Sequence, residues 1–140
     1  MKNVAVVFWS GTGNTEAMAD AVAKGARAAG ASATAIPVAS FDASQVAKYD
    51  SFAFGCPAMG SEALEDSEFE PAFEDVKGSL AGKAVALFGS YGWGDGEWMR
   101  SWEENCADAG ITLACDSVIC NDAPDDEAVE ACKALGAALA

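Results

Sequence analysis

The sequence predicts an α/β protein in which a parallel sheet is covered by helices on both faces. Short apolar runs alternate five times with longer amphipathic segments along the 140 residues, a pattern typical of buried parallel strands. Glycine-rich segments follow the first, third and fourth runs. Because the carboxyl ends of parallel strands meet at one edge of a sheet, we expect these segments to lie side by side. No linker divides residues 1–140, which are predicted to form a single domain.

The first strand is predicted over residues 3–9, and the segment after it is suited to an anion. Helix one is expected over residues 14–29, with Ala17, Met18 and Val22 on its apolar face. The intervening segment therefore opens a helix, where unpaired N–H groups and the helix dipole attract an anion. It is uncharged, and its glycines allow close approach to a ligand. The predicted phosphate-binding residues are Ser10, Gly11, Thr12, Gly13, Asn14 and Thr15.

The middle of the chain predicts two more strands and a second helix. Residues 33–38 are expected to form an edge strand, because Pro37 cannot donate a ladder hydrogen bond. Residues 51–56 form the third strand. Helix two is predicted to begin at Ser67, which has capping-box spacing to Glu70. Its inward stripe consists of Phe69, Phe73, Val76 and Leu80.

The last third of the chain continues the alternation. A fourth strand is predicted over residues 83–89 and helix three over residues 95–109. The fifth strand is expected over residues 112–119, with an interruption at Asp116, and the last helix begins at residue 122 or 123. The inner faces of these two helices are predicted from spacing: Trp98, Trp102 and Cys106 in one, and Ala128, Cys132, Leu135 and Leu139 in the other.

Two bulky apolar side chains stand alone in the loops after strands three and four. Met59 and Trp93 each lie between two small residues, whereas core residues usually recur along periodic elements. A thioether and an indole would instead form two apolar walls for a flat ring. The alternative, that both side chains only cover the end of the sheet, stays open on these residues alone.

The segments 10–15, 55–60 and 88–96 resemble the phosphate loop and the two ring-binding loops of the short-chain flavodoxins of anaerobic bacteria, and the similarity covers essentially the whole chain. The resemblance implies a flavodoxin-like three-layer sandwich: a five-stranded parallel sheet of order 2-1-3-4-5 with helices on both faces. It also implies noncovalently bound FMN, with Met59 and Trp93 flanking the flavin.

Further residue roles follow from the same resemblance. The peptide that joins Gly60 to Ser61 switches on reduction, and Glu62 accepts a hydrogen bond from flavin N3–H. Asn121 is a candidate from its position alone: just after the fifth strand, it either reaches the ribityl chain or caps the last helix. The ring-binding residues implied are Pro57, Ala58, Met59, Gly60, Ser61, Glu62, Ser90, Tyr91, Gly92, Trp93 and Gly94.

The implied function is that of a low-potential one-electron carrier, cycling between semiquinone and hydroquinone and converting no substrate of its own. The charge supports a low potential: the net charge is −14, and residues 61–75 contain seven acidic residues and no basic one. An anionic reduced flavin is disfavoured in such a field. The same charge favours redox partner proteins with basic docking surfaces and repels nucleic acid.

The alternative is an FMN-dependent NAD(P)H or quinone oxidoreductase of the same fold. Such enzymes leave one flavin face open, whereas Met59 and Trp93 are expected to cover both. The absence of histidine and the lack of a C-x-x-C pair among five cysteines argue against metal sites and His-dependent catalysis. No apolar run approaches the roughly 18 residues of a membrane helix. We therefore expect a cytoplasmic monomer that binds no metal and no membrane.

Overall fold

The computed structural model describes residues 2–60 and 62–140, which contain five parallel strands and four α-helices. The sheet order is β2-β1-β3-β4-β5, which confirms the predicted topology. The strands are β1 (Asn3–Phe8), β2 (Ser32–Pro37), β3 (Ser51–Gly55), β4 (Ala84–Tyr91) and β5 (Val118–Asn121). The helices are α1 (Asn14–Ala28), α2 (Phe69–Val76), α3 (Glu97–Asp108) and α4 (Asp126–Leu139), with 3-10 turns at Val38–Ser40, Ala43–Lys48 and Lys77–Ser79.

Each face of the sheet packs against a different pair of helices. On one face α2 and α3 cover alternate residues of β1, β3 and β4, and their aromatic rings meet edge to face. Phe73 contacts Phe54 and Trp102 with ring centroids 5.2 and 5.6 Å apart, in the geometry that aromatic pairs prefer. The inner faces predicted for helices two, three and four are all buried.

On the other face α1 and α4 lie in backbone contact with each other. A Cβ on Gly25 would stand 2.0 Å from the carbonyl oxygen of Lys133, and one on Gly136 would stand 2.0 Å from that of Val22. No side chain fits at such distances, so the two helices require glycine at their crossing. The apolar face of α1 differs from the prediction in two ways: Ala17 is exposed, and Ala19 and Ala23, which were not predicted to face inward, are buried.

Strand five differs most from its predicted bounds. Within the expected span of residues 112–119, Leu113 forms only an isolated bridge with Val85, and regular pairing begins where Val118 meets Phe88. The two contacts are five residues apart on this segment, from Leu113 to Val118, but only three apart on β4, from Val85 to Phe88. The chain therefore leaves the sheet between Leu113 and Val118. The predicted interruption at Asp116 falls within this excursion, and the strand continues to Asn121.

Three helix starts also differ: α3 begins at Glu97 rather than at residue 95, and the starts of α2 and α4 differ for one physical reason. Helix α2 begins at Phe69 and Ser67 does not cap it, because the carboxylate of Glu65 accepts from the first N–H groups instead. Helix α4 begins at Asp126, and Asp125 caps it by accepting from the N–H of Ala128 at 2.8 Å. In both cases a carboxylate satisfies N–H groups that have no partner within the helix and so fixes where it starts.

The register of the central strands brings three loops together. Phe8 at the end of β1 pairs with Gly55 at the end of β3, and Gly55 pairs with Phe88 in β4. β1 and β3 therefore finish at the same level, and β4 continues three residues further, to Tyr91. The segments that follow them emerge at one edge of the sheet, as the sequence predicts.

Candidate functional site

A cleft of about 340 Å³ opens at the carboxyl edge of the sheet. Cavities of about this size and larger hold cofactors and other small ligands in proteins. The segments after β1, β3 and β4 all contribute to it. Its lining consists of Trp9, Gly11, Thr12, Asn14, Pro57, Ala58, Met59, Ser90, Tyr91, Gly92, Trp93 and Asp122.

The segment between β1 and α1 leaves backbone donors at the start of the helix. Gly13 precedes α1 with a φ of 95°, and its N–H donates to Ser10 Oγ at 3.0 Å, which closes the turn. Within the described residues no side chain caps α1, so the first N–H groups of the helix remain without an intrahelical acceptor. Such an N-terminus favours a phosphate group.

Thr15 carries a polar atom whose burial this anion would explain. Its side chain is 1% exposed, and its Oγ1 has no hydrogen-bond partner among the residues described. Burying an unpaired hydroxyl costs roughly 1–3 kcal/mol, and native proteins seldom leave one so. A phosphate oxygen at the start of α1 would accept from it. The donors present, neutral hydroxyl and N–H groups, therefore fit the phosphate of the FMN expected from the sequence.

The segment after β3, residues 57–64, is called the Met59 loop below. The N–H of Met59 donates to the carbonyl of Ala63 at 2.8 Å, and the N–H of Ala63 donates back at 3.0 Å. Ala58 N–H donates to the carbonyl of Ser90 at 3.0 Å, which ties the loop to β4. Gly60 has a φ of 47°, a conformation that disfavours residues with a Cβ. Ser61 lies outside the described residues, so the role expected of its peptide stays a prediction.

Glu62 links the Met59 loop to the segment before α3. Its Oε2 accepts from the N–H of Glu97, the first residue of α3, at 2.9 Å. A Cβ on Gly94 would stand 2.1 Å from Glu62 Oε1. That oxygen is buried and has no donor among the residues that the structure describes. The bond expected from flavin N3–H to Glu62 stays a prediction, and the carboxylate retains a free acceptor for it.

Trp93 is the most exposed large apolar side chain of those described. It exposes 57% of its surface and lines the cleft together with Met59. A large apolar side chain exposed at a cleft commonly marks a binding site. The two side chains predicted as walls are thus both at the cavity, where a flat apolar ligand would cover them.

Two cleft residues were not predicted as such. Trp9 was assigned to the end of strand one; it lines the cleft and its Nε1 donates to Glu68 Oε1 at 3.2 Å. Asp122 follows β5, where its N–H donates to the carbonyl of Tyr91 at 2.8 Å and its carbonyl accepts from Ser90 Oγ at 2.7 Å. Both follow the carboxyl end of a strand, which is the pattern that could have identified them.

Several predicted residues lie near the cleft without lining it. Asn121 ends β5 and lines a separate cavity beside α4. Its predicted capping of the last helix is wrong, because Asp125 is the cap; a contact with the ribityl chain stays a prediction. The other predicted residues that do not line the cleft are Ser10, Gly13, Thr15, Gly60, Glu62 and Gly94.

Cys56, which follows β3 and precedes the Met59 loop, carries a fully buried thiol. Burial raises the pKa of the Cys56 thiol to about 12, so Cys56 stays protonated at neutral pH and is a poor nucleophile. In residues 2–60 and 62–140 there is no cluster of three His, Cys, Asp or Glu side chains that could hold a metal ion.

Comparison with known proteins gives one consistent result. A family model described as Flavodoxin matches residues 6–136. The flavodoxin of Megasphaera elsdenii is 47% identical over 137 residues, covering 98% of each chain. The flavodoxin of Clostridium beijerinckii is 44% identical over 135 residues, covering 96% of this chain and 97% of that protein. A solution structure of the two-electron reduced flavodoxin from Megasphaera elsdenii superimposes with a TM-score of 0.89 at 49% identity over 97% of each chain.

Proposed function

Because this chain belongs to the flavodoxin family, we propose that the cleft at the carboxyl edge of its sheet is where it binds FMN. Flavodoxins are FMN-binding electron carriers and not enzymes, and this chain is one of them. Bound FMN supplies the one-electron chemistry, while the protein binds it, orients it and limits its contact with water. The observation that carries the proposed location is that three predicted loops meet in one cavity.

Each part of the cofactor has a proposed set of contacts. The first N–H groups of α1 and the hydroxyl of Thr15 bind the phosphate, and the uncapped helix and the unpaired Oγ1 support this role. Met59 and Trp93 cover the flavin ring, and Glu62 accepts from N3–H. The remaining contacts proposed are Ser10–Asn14, Pro57, Ala58, Gly60, Ser61, Ser90, Tyr91, Gly92, Gly94 and Asn121.

We further propose that the carrier works at low potential. The net charge of −14 disfavours the addition of negative charge to a bound group. Among the described residues that line the cleft none is basic, and Asp122 contributes a carboxylate. An added electron therefore enters a field of negative charge with no cation at the cleft, which raises the cost of full reduction.

As an electron carrier the protein acts with redox partner proteins. We propose that those partners dock through basic patches, because opposite charge accelerates association with so acidic a surface. We propose a cytoplasmic monomer with one domain over residues 1–140. Its five free cysteines support a reducing compartment. None of the helices described combines the length and apolar character needed to cross a membrane.

The alternative function, an FMN-dependent NAD(P)H or quinone oxidoreductase, is not favoured. The relatives that match this chain over nearly its full length at 44 to 47% identity are flavodoxins. The exposed indole of Trp93 beside Met59 in the cleft also supports a ring covered on both faces rather than one open to a hydride donor.

A titration of the apoprotein with FMN tests the proposed site. We expect binding of one FMN per chain, and we expect Trp93→Ala to weaken it about tenfold or more through loss of ring stacking. Ile119→Ala is the matched control, because Ile119 is also an exposed large apolar residue, 39% exposed, and does not line the cleft. Wild-type affinity in Trp93→Ala would contradict the proposed site.

A further inference from the structure

Glu65 is the one charged side chain that is buried among the residues described, with 5% of its surface exposed. It follows the Met59 loop directly and does not line the cleft. Its Oε1 accepts from the N–H groups of Glu68 and Phe69 at 2.8 and 2.9 Å. Its Oε2 accepts from the N–H of Ser67 at 2.9 Å and also from the hydroxyl of Ser67. One carboxylate thus receives four hydrogen bonds.

These bonds fix Glu65 to the start of α2. The first N–H groups of a helix have no intrahelical partner, and a carboxylate among them is stabilised by the hydrogen bonds and the helix dipole. Burial on its own raises the pKa of Glu65, but the bonds from Ser67, Phe69 and Glu68 outweigh it and hold the pKa below its usual range. The side chain is therefore ionised at neutral pH and retains all four bonds.

The backbone of Glu65 is fixed at a second point. Its N–H donates to Cys56 Sγ at 3.3 Å. Cys56 is fully buried; its N–H donates to the carbonyl of Phe88 in β4 at 3.2 Å, and its carbonyl accepts from Nε1 of Trp98 in α3 at 3.1 Å. Glu65 therefore joins the start of α2 to a residue that is itself held by β4 and α3.

The Met59 loop lies between these two fixed residues. Cys56 precedes it and Glu65 follows it, and the pair of backbone bonds between Met59 and Ala63 closes it further. A loop whose ends are joined has fewer conformations to lose when it binds a ligand. The bond at the base of the loop depends on where Glu65 is held. The carboxylate holds it with four bonds, and the N–H of Glu70 adds one backbone bond to the carbonyl of Glu65 at 2.9 Å.

We propose that Glu65 is a positioning residue for the cofactor site, holding the Met59 loop in its binding conformation by joining the start of α2 to Cys56. The inference rests on the proposed function, because the loop conformation affects binding only if FMN occupies the cleft. Glu65 acts through the loop and does not line the cleft itself.

Glu65→Gln tests this proposal against Asp66→Asn. Both substitutions remove one negative charge, but Asp66 is exposed and accepts none of the bonds at the start of α2. Glutamine places an NH₂ group against N–H donors and so loses part of the cap. In the apoprotein we expect amide hydrogen exchange at Met59 and Ala63 to become about tenfold faster in Glu65→Gln, and to change less than about twofold in Asp66→Asn.

Binding and reduction of FMN provide the second readout. We expect the dissociation constant to rise about tenfold in Glu65→Gln and less than about twofold in Asp66→Asn. The separation of the two one-electron midpoint potentials should change in Glu65→Gln alone, which a loss of global stability would not produce. Ser67→Ala removes only the hydroxyl donor, so it gives a smaller change of the same kind if Glu65→Gln fails to fold.

The outcomes separate this proposal from the one on which it rests. Failure of the wild-type protein to bind FMN, or wild-type affinity in Trp93→Ala, counts against the proposed site. Normal FMN binding by the wild type, with exchange, affinity and potentials unchanged in Glu65→Gln, overturns the positioning role. If only Ser67→Ala folds, wild-type exchange at Met59 and Ala63 in that variant overturns it equally.

Discussion

Replacing Thr15 with valine tests the phosphate loop, because it removes one hydroxyl and keeps a branched side chain of similar size. Thr15 is 1% exposed, and its Oγ1 is unpaired within the described protein. In the apoprotein this hydroxyl is destabilising, since a buried unpaired hydroxyl costs roughly 1–3 kcal/mol. We therefore expect the free energy of unfolding of Thr15→Val apoprotein to rise by about 1 kcal/mol or more.

The same substitution should weaken FMN binding. A hydrogen bond to a charged group contributes about 1.5–3 kcal/mol, which corresponds to a rise in the dissociation constant of about 10- to 150-fold. The two effects have opposite signs: the apoprotein becomes more stable and the complex becomes weaker. A general loss of structure at the loop would lower both quantities together, so the signs identify the cause.

Two measurements check this prediction. Urea unfolding of the apoprotein, followed by tryptophan fluorescence, gives the stability, and fluorescence titration gives the affinity. Riboflavin, which lacks the phosphate, is the ligand control and should bind Thr15→Val as it binds the wild type. Thr34→Val on the exposed side of β2 is the protein control. Unchanged FMN affinity in Thr15→Val, or an equal loss of riboflavin affinity, would refute the reasoning.

The remaining predictions concern a glycine, a carboxylate and the thiols. Gly94→Ala puts a Cβ 2.1 Å from Glu62 Oε1 at a φ of 82°, so thermal unfolding should show a loss of about 1–3 kcal/mol. The pKa of Glu65 is lower in the folded protein than in the unfolded chain. Its ionisation therefore stabilises the fold above the unfolded pKa, about 4.3, and this stabilisation is lost as pH falls through the folded pKa. Glu65→Gln should therefore make the free energy of unfolding less dependent on pH on the acid side. Cys56 is fully buried, and burial raises the pKa of its thiol to about 12. Thiol reagents should therefore modify the half-buried Cys115 first and Cys56 only as the chain unfolds.

Each of these has a direct control. Gly78→Ala introduces a Cβ with nothing within 4 Å and should cost far less than the substitution at Gly94; equal losses would contradict the steric argument. An acid unfolding curve of Glu65→Gln parallel to that of the wild type would contradict the role of its ionisation. Labelling of Cys56 in native protein as fast as that of Cys115 would contradict its burial.

Side-chain spacing predicted the buried helix faces well, because apolar residues that recur at helical spacing can be recognised within one segment of the sequence. Trp98, Trp102 and Cys106 recur every fourth residue and all three are buried. Element ends were predicted less well because partners elsewhere decide them. The start of α2 depends on Glu65, which lies outside the helix, and the start of β5 depends on where β4 offers a partner to Val118. Neither partner can be identified from the local pattern.

The candidate site shows the same division. The three loops were identified because their residue types are unusual: glycines with polar donors, and bulky side chains between small ones. Asp122 was missed because the fifth strand was ended two residues early, which assigned Asp122 to the following helix. Trp9 was read as strand core because an apolar run gives no indication of which residue first leaves the sheet.

The crossing of α1 and α4 has a consequence for how the chain folds. Gly25 packs against the backbone of Lys133, and Gly136 packs against the backbone of Val22. Each contact joins residues more than a hundred positions apart, so it forms at the cost of closing almost the whole chain into a loop. Contacts of such long sequence separation slow folding. Helix α4 packs Cys132, Leu135 and Leu139 against one face of the sheet. The part of that face that α4 covers stays exposed until the helix docks. Docking of the last helix should therefore be the late step in folding, and mutations at this crossing should speed unfolding more than they slow folding.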